Sequence, residues 1–267
     1  MSPIAFSIGD FTVYWYSLFI LSGFILGYLF AYLEIKRHNI GKDFLADYFF
    51  YLVPIVILGA RLYYVIFEWH YYSNNLFELL QIWNGGLAIH GGIIAGAIYT
   101  IFYTRYKKIN TFKFIDIAAP SLALGQALGR WGNFFNQEAY GPLTTIDKLH
   151  DMFIPKFVID GMYIKGAYYE PTFYYESLTC FFIFIVIILL RKYCKKLNVG
   201  TLTGIYFLIY GTERFFVEAL RQDSLMLGSI KIAQLVSLLM VILGIGFLII
   251  SNIKKIPYLN RERNLNE

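Results

Sequence analysis

The chain has 267 residues, of which 58% are hydrophobic, 19% aromatic and 15% charged, with a mean hydropathy of +0.54 and a formal net charge of +5. So large an apolar share exceeds what a soluble core of this size can hide, which excludes an ordinary water-soluble globular protein and predicts an integral membrane protein. The excess lysine and arginine falls in short segments between apolar runs, so it reports topology and anionic lipid contact and gives no reason to expect nucleic-acid binding.

Crossing about 30 Å of hydrocarbon takes about 20 apolar residues. Runs of that kind lie near 13–33, 44–67, 87–104, 115–134, 172–190, 201–218 and 232–251, which predicts an all-α polytopic fold of about seven transmembrane helices. The first run opens on Tyr14-Trp15-Tyr16, an aromatic set typical of a membrane boundary. The second carries Pro54 and Arg61. The third is entered through Trp83-Asn84-Gly85-Gly86 and puts His90 just inside its boundary. The fourth carries Asp116 and Pro120 and closes on Gly129-Arg130-Trp131-Gly132-Asn133-Phe134-Phe135-Asn136-Gln137-Glu138. The fifth carries Tyr175 and Glu176, and the sixth carries Tyr210, Glu213, Arg214 and Glu218.

Positive residues mark alternate connections: Lys36, Arg37 and Lys42; Arg105, Lys107, Lys108 and Lys113; Arg191, Lys192, Lys195 and Lys196; Lys254, Lys255, Arg261 and Arg263. Under the positive-inside rule those segments face the cytoplasm, which puts the amino terminus outside and the carboxyl terminus inside. Residues 141–171, with acidic Asp147, Asp151, Asp160 and Glu170 among their charges, then form a small extracytoplasmic elaboration between helices 4 and 5 of one membrane domain spanning 1–267. No cleavable leader is expected, because residues 1–11 lack a basic start and a small-residue cleavage site.

A charge at bilayer depth costs roughly 2.5 to 3.5 kcal/mol even on the lenient insertion scale, so each needs a partner or a ligand. In the segment from Arg130 to Glu138, a guanidinium is followed by the carboxamides of Asn133 and Asn136 and the carboxylate of Glu138. Such a cluster either satisfies itself at a helix end or captures a phosphate. Tyr210, Arg214, Glu218 and Arg221 recur at i, i+4, i+8 and i+11 and share one helix face; Arg214 either pairs with Glu218 inside the bundle or holds a phosphate. His90 is a packed histidine or a proton acceptor, and its neighbouring glycines permit close approach of backbone or ligand. Arg61 with Asp116 or Glu176 would form an ordinary buried pair. The four histidines, at 38, 70, 90 and 150, show no ligand spacing, and Cys180 and Cys194 read as neither nucleophile nor disulfide, so no metal or cofactor is expected.

Taken together, Gly129 through Gly141 resembles the signature of the prolipoprotein diacylglyceryl transferases. Tyr14-Trp15-Tyr16, Gly59-Ala60-Arg61-Leu62, His90-Gly91-Gly92, Tyr175-Glu176-Ser177 and Tyr210 through Arg221 join it in order, so the resemblance covers most of the chain. It implies a bacterial plasma-membrane enzyme, active toward the extracytoplasmic side. Such an enzyme moves the diacylglyceryl group of phosphatidylglycerol onto the lipobox cysteine of a preprolipoprotein signal peptide, forming a thioether and releasing glycerol phosphate. By motif, Arg130 and Arg214 would be the essential headgroup arginines and His90 and Tyr210 essential partners. Tyr16, Asn133, Asn136, Glu138, Gly141, Arg61, Glu176, Glu218 and Arg221 would complete substrate binding. The chain departs from the family in having Glu170 before Pro171, where histidine is common.

The chemistry suits these residue types. Displacement at the glyceryl carbon expels a phosphate monoester, and bidentate guanidiniums stabilise the growing charge without a proton donor. The nucleophile comes from the substrate, and a thiol with a pKa of about 8.5 is mostly protonated near neutrality; either His90 takes its proton or the arginine field favours the thiolate. Competing classes are a lipid or solute transporter using the same arginines for binding only, another phospholipid-using transferase, and a noncatalytic lipid-binding protein. An intramembrane protease is disfavoured, since no serine, paired aspartate or zinc motif is apparent.

Overall fold

The computed structural model describes residues 1–221, 226–228 and 230–259, so Arg261 and Arg263 lie outside the described residues. An antiparallel hairpin, β1 (Ile4–Ile8) and β2 (Phe11–Tyr14), comes first, and its two-residue turn puts Gly9 at φ +58°, which suits glycine at the leading position of a tight hairpin turn. The expected first helix therefore begins later than residue 13: α1 runs Trp15–Arg37. The further long helices are α2 (Phe44–Phe67), α4 (Ile89–Tyr106), α5 (Thr111–Asn136), α8 (Thr172–Tyr193), α9 (Thr201–Leu220) and α10 (Ile232–Lys254), with the one-turn helix α3 (Trp69–Tyr72) and two short 3-10 turns between α2 and α4. Of these, α1, α2, α8 and α10 are long and apolar enough to cross a membrane. Pro54 and Pro120 sit inside α2 and α5 without ending them.

The chain forms a mostly helical membrane protein with small β elements, and it divides into two compact units: Met1–Leu33 with Ile115–Glu267, and Glu34–Phe114. In the second unit α2 packs on α4 where two glycines meet, and a Cβ added at Gly59 would lie 2.9 Å from the Gly91 carbonyl oxygen. Small residues allow such backbone contact, and dispersion does the binding where lipid offers no hydrophobic drive. In the first unit α5 lies against α1 in the same manner, with an added Cβ at Gly23 only 3.2 Å from Gly125 Cα and Ser121 Oγ donating to the Gly27 carbonyl at 2.7 Å.

Two clamps fix α5, α8 and α9 in the first unit. Near the start of α5, the buried carboxylate of Asp116 accepts from Gly200 N at 2.6 Å, Thr203 N at 2.7 Å and Thr203 Oγ1 at 2.6 Å, satisfying the first amides of α9. Arg191 of α8 donates to the Asp116 and Ile117 carbonyls at 2.6 and 2.9 Å.

The other clamp is the segment expected as an extracytoplasmic elaboration, which has a core of its own. Strands β3 (Leu143–Thr144), β4 (Tyr163–Ile164) and β5 (Ala167–Tyr169) form a sheet in the order β3-β5-β4, with helices α6 (Ile146–Asp151) and α7 (Lys156–Gly161) beside it. Leu149, Ile154, Val158, Ile159, Met162 and Ile164 are buried there together with Phe134 of α5 and Phe173 of α8, whose rings stack 4.7 Å apart. Thr172 Oγ1 donates to the Ala139 carbonyl at 2.5 Å, and Gly141 N donates to the Glu170 carbonyl at 2.9 Å. The C-terminal end of α5 is thus tied to the N-terminal end of α8. A two-stranded ribbon, β6 (Met226–Leu227) with β7 (Ile230–Lys231), precedes α10.

Candidate functional site

One turn inside that upper clamp, three helices bring charge together. Arg130 reaches from α5 and Arg214 from α9, and both close on Glu176 of α8: Arg130 Nε contacts Oε2, and Arg214 Nη1 contacts Oε1. Arg214 Nη2 also meets Glu218 Oε2 at 2.5 Å. The carboxylates are sealed, with side chains 2% and 3% exposed, whereas the arginine side chains are less deeply buried, at 20% exposed for Arg130 and 15% for Arg214. One carboxylate bridging two arginines holds like charges together and fixes the direction of both planar forks.

A polar layer lies beneath. The Tyr206 hydroxyl donates to Gln126 Oε1 at 2.9 Å, and the Cys180 thiol approaches the same oxygen at 3.9 Å. Tyr210, buried and stacked on Tyr206 with centroids 5.7 Å apart, interacts with the Arg130 guanidinium. The main chain of α9 is closed by Lys231, whose Nζ donates to the carbonyls of Glu218 at 2.7 Å and Arg221 at 2.7 Å. Gln126, Tyr206 and Cys180 were not read from the sequence as site residues; Gln126 lies one turn before Arg130 and Tyr206 one turn before Tyr210, and that i−4 spacing was the available signal.

The remaining expected residues divide. Glu138 Oε1 accepts from Asn133 Nδ2 at 2.8 Å and Asn136 Nδ2 at 3.3 Å, so this trio satisfies itself at the end of α5. Gly141 is buried, and an added Cβ there would lie 3.0 Å from Glu170 Cβ. The Tyr16 ring covers Gly132, where an added Cβ would fall 3.1 Å from its Cε2.

Arg61 and His90 belong to the second unit. The expected pairing of Arg61 with Asp116 or Glu176 is corrected: Asp116 caps α9, Glu176 bridges the other two arginines, and Arg61 is consumed by backbone. It donates to the carbonyls of Leu79 at 2.9 Å, Gly85 at 2.8 Å, Gly86 at 3.0 Å and Glu78, and lies 5.0 Å over the Tyr72 ring. The guanidinium of buried Arg61 thus ties two separate turns of the connection between α2 and α4, at residues 78–79 and 85–86, to one point on α2. His90 lies in the first turn of α4, exposed, with its ring 6.1 Å from that of Tyr63.

The chain is a multi-pass helical membrane protein whose polar centre is two partly exposed arginines on a shared buried carboxylate. The profile of the family described as prolipoprotein diacylglyceryl transferase matches residues 3–250, and the chain belongs to that family. It is 46% identical over 258 residues to a phosphatidylglycerol–prolipoprotein diacylglyceryl transferase of Streptococcus pneumoniae (strain JJA), covering 97% of each chain. It is 43% identical over 257 residues to the protein of that name from Listeria innocua serovar 6a, covering 96% of this chain and 92% of the relative.

Proposed function

We propose that this chain works as one membrane transferase, moving the diacylglyceryl group of phosphatidylglycerol onto the lipobox cysteine thiol of a preprolipoprotein and releasing glycerol phosphate. The sulfur attacks the glyceryl carbon, the carbon–oxygen bond to phosphate breaks, and the electron pair leaves with the phosphate oxygen. The convergence of Arg130 and Arg214 on Glu176 carries this reading. Their partly exposed side chains offer bidentate donors where the departing phosphate gathers charge, and Glu176 and Glu218 hold those donors in place before the substrate arrives. Tyr210 steadies Arg130, His90 accepts the thiol proton, and Tyr16, Asn133, Asn136, Glu138, Gly141 and Arg221 shape the approach to the site.

In this reading all seven long helices cross a bacterial plasma membrane, the basic connections face the cytoplasm, and the arginine site opens toward the outside. Turnover separates this reading from a transporter that uses the same arginines only to bind. Purified protein given phosphatidylglycerol and a lipobox peptide is expected to yield a peptide heavier by one diacylglyceryl group, read by mass spectrometry. Arg130→Ala or Arg214→Ala is expected to lower the rate by about 100- to 1000-fold, the scale of losing one preorganised donor to a developing anion. Unmodified peptide with folded protein overturns the transferase reading. Full activity in His90→Gln overturns only the base assignment.

A further inference from the structure

Glu213 takes no part in the ion pairs of the arginine site. It precedes Arg214 in α9, yet both of its carboxylate oxygens are buried with no hydrogen-bond partner. On a helix, positions 206, 210, 213 and 217 share one face, and on this face Tyr206 already reaches Gln126 of α5. The opposite face, through Gly204 and Gly211, lies against α10. Glu213 therefore looks toward the arginine site, where its carboxyl group interacts electrostatically with Glu176, Arg130 and Arg214.

A buried carboxyl group without a donor is costly, and it persists where a ligand brings the donor. Glu176 and Glu218 already hold the guanidiniums, so Glu213 is spare for another task. We infer that Glu213 accepts hydrogen bonds from the hydroxyls of the phosphatidylglycerol headgroup and is the residue that selects a glycerol headgroup. This rests on the transferase reading and deepens it. Hydroxyls donate without adding charge, and the vicinal pair of a glycerol matches the two oxygens of one carboxyl group.

The test compares phosphatidylglycerol with phosphatidylpropanol, which keeps the phosphate charge and the bond to be broken but lacks both headgroup hydroxyls. With purified protein and a lipobox peptide, the wild-type kcat/KM for phosphatidylglycerol is expected to exceed that for phosphatidylpropanol by about 10- to 100-fold, the scale of losing two hydrogen bonds. Glu213→Ala is expected to close that gap by raising KM for phosphatidylglycerol while leaving use of phosphatidylpropanol unchanged, and Glu213→Gln, which keeps one acceptor oxygen, to close it in part. A proportional loss on both donors in Glu213→Ala overturns the inference, as does a preference of the wild-type protein for phosphatidylethanolamine. Calorimetry on the wild-type protein with free glycerol phosphate and propyl phosphate decides the matter without any variant that must fold: tighter binding of glycerol phosphate supports the inference, and equal affinities overturn it. Failure of the wild-type protein to turn over any of these lipids would instead remove the transferase reading itself.

Discussion

Single residues in this chain divide by where their hydrogen-bond donors go. Arg61, Arg130 and Arg214 look alike in the sequence, each a cation within an expected span, yet Arg61 spends its fork on four backbone carbonyls while the other two close on the carboxylate of Glu176. That difference is testable. Arg61→Ala is expected to destabilise the protein by about 2 to 3 kcal/mol, because it removes the hydrogen bonds to four carbonyls of the connection between α2 and α4, and to leave KM for phosphatidylglycerol unchanged in the folded fraction. Denaturant titration alongside steady-state kinetics checks it; a raised KM with unchanged stability would return Arg61 to substrate binding. The partner of each arginine could not be read from the chain, because the carbonyls of residues 78–86 become a cluster only once the segment folds back over α2.

Among the elements, the span between α5 and α8 departs furthest from its expectation as a loop. Its apolar residues, Leu149, Ile154, Val158, Ile159 and Met162, pack into a core with Phe134 and Phe173, one from each adjoining helix. The consequence is mechanical: the same helix ends carry Arg130 and Glu176, so the small core sets their separation. Leu149→Ala, at a fully buried position, is expected to cost about 2 to 4 kcal/mol locally. Faster amide exchange across 143–169 and a fall in kcat should accompany it, although no charged group has been touched. Unchanged exchange with reduced kcat would instead place Leu149 in contact with substrate. Helix positions themselves were legible, since apolar length and the glycine pairs announce them; the short strands were not, because two or three residues are too few to show a period-two pattern.

At the scale of the whole molecule, the basic connections make a topological prediction that labelling in intact cells can check. A cysteine placed at exposed Asp147 (Asp147→Cys) is expected to react with a membrane-impermeant maleimide from outside. Native Cys194, exposed beyond the end of α8, is expected to react only after the membrane is permeabilised. The reverse pattern would invert the orientation and put the arginine site on the cytoplasmic side.

By itself the sequence determined that this is a helical membrane protein, where its long helices lie, and which motif residues to examine, because hydropathy, charge placement and motif spacing are all local properties of the chain. Only the tertiary structure decided that Glu176 joins Arg130 to Arg214, that Arg61 donates to backbone carbonyls of the connection between α2 and α4, and that Glu213 remains without a donor. Each of those depends on groups far apart in the chain meeting, or failing to meet, within hydrogen-bond distance.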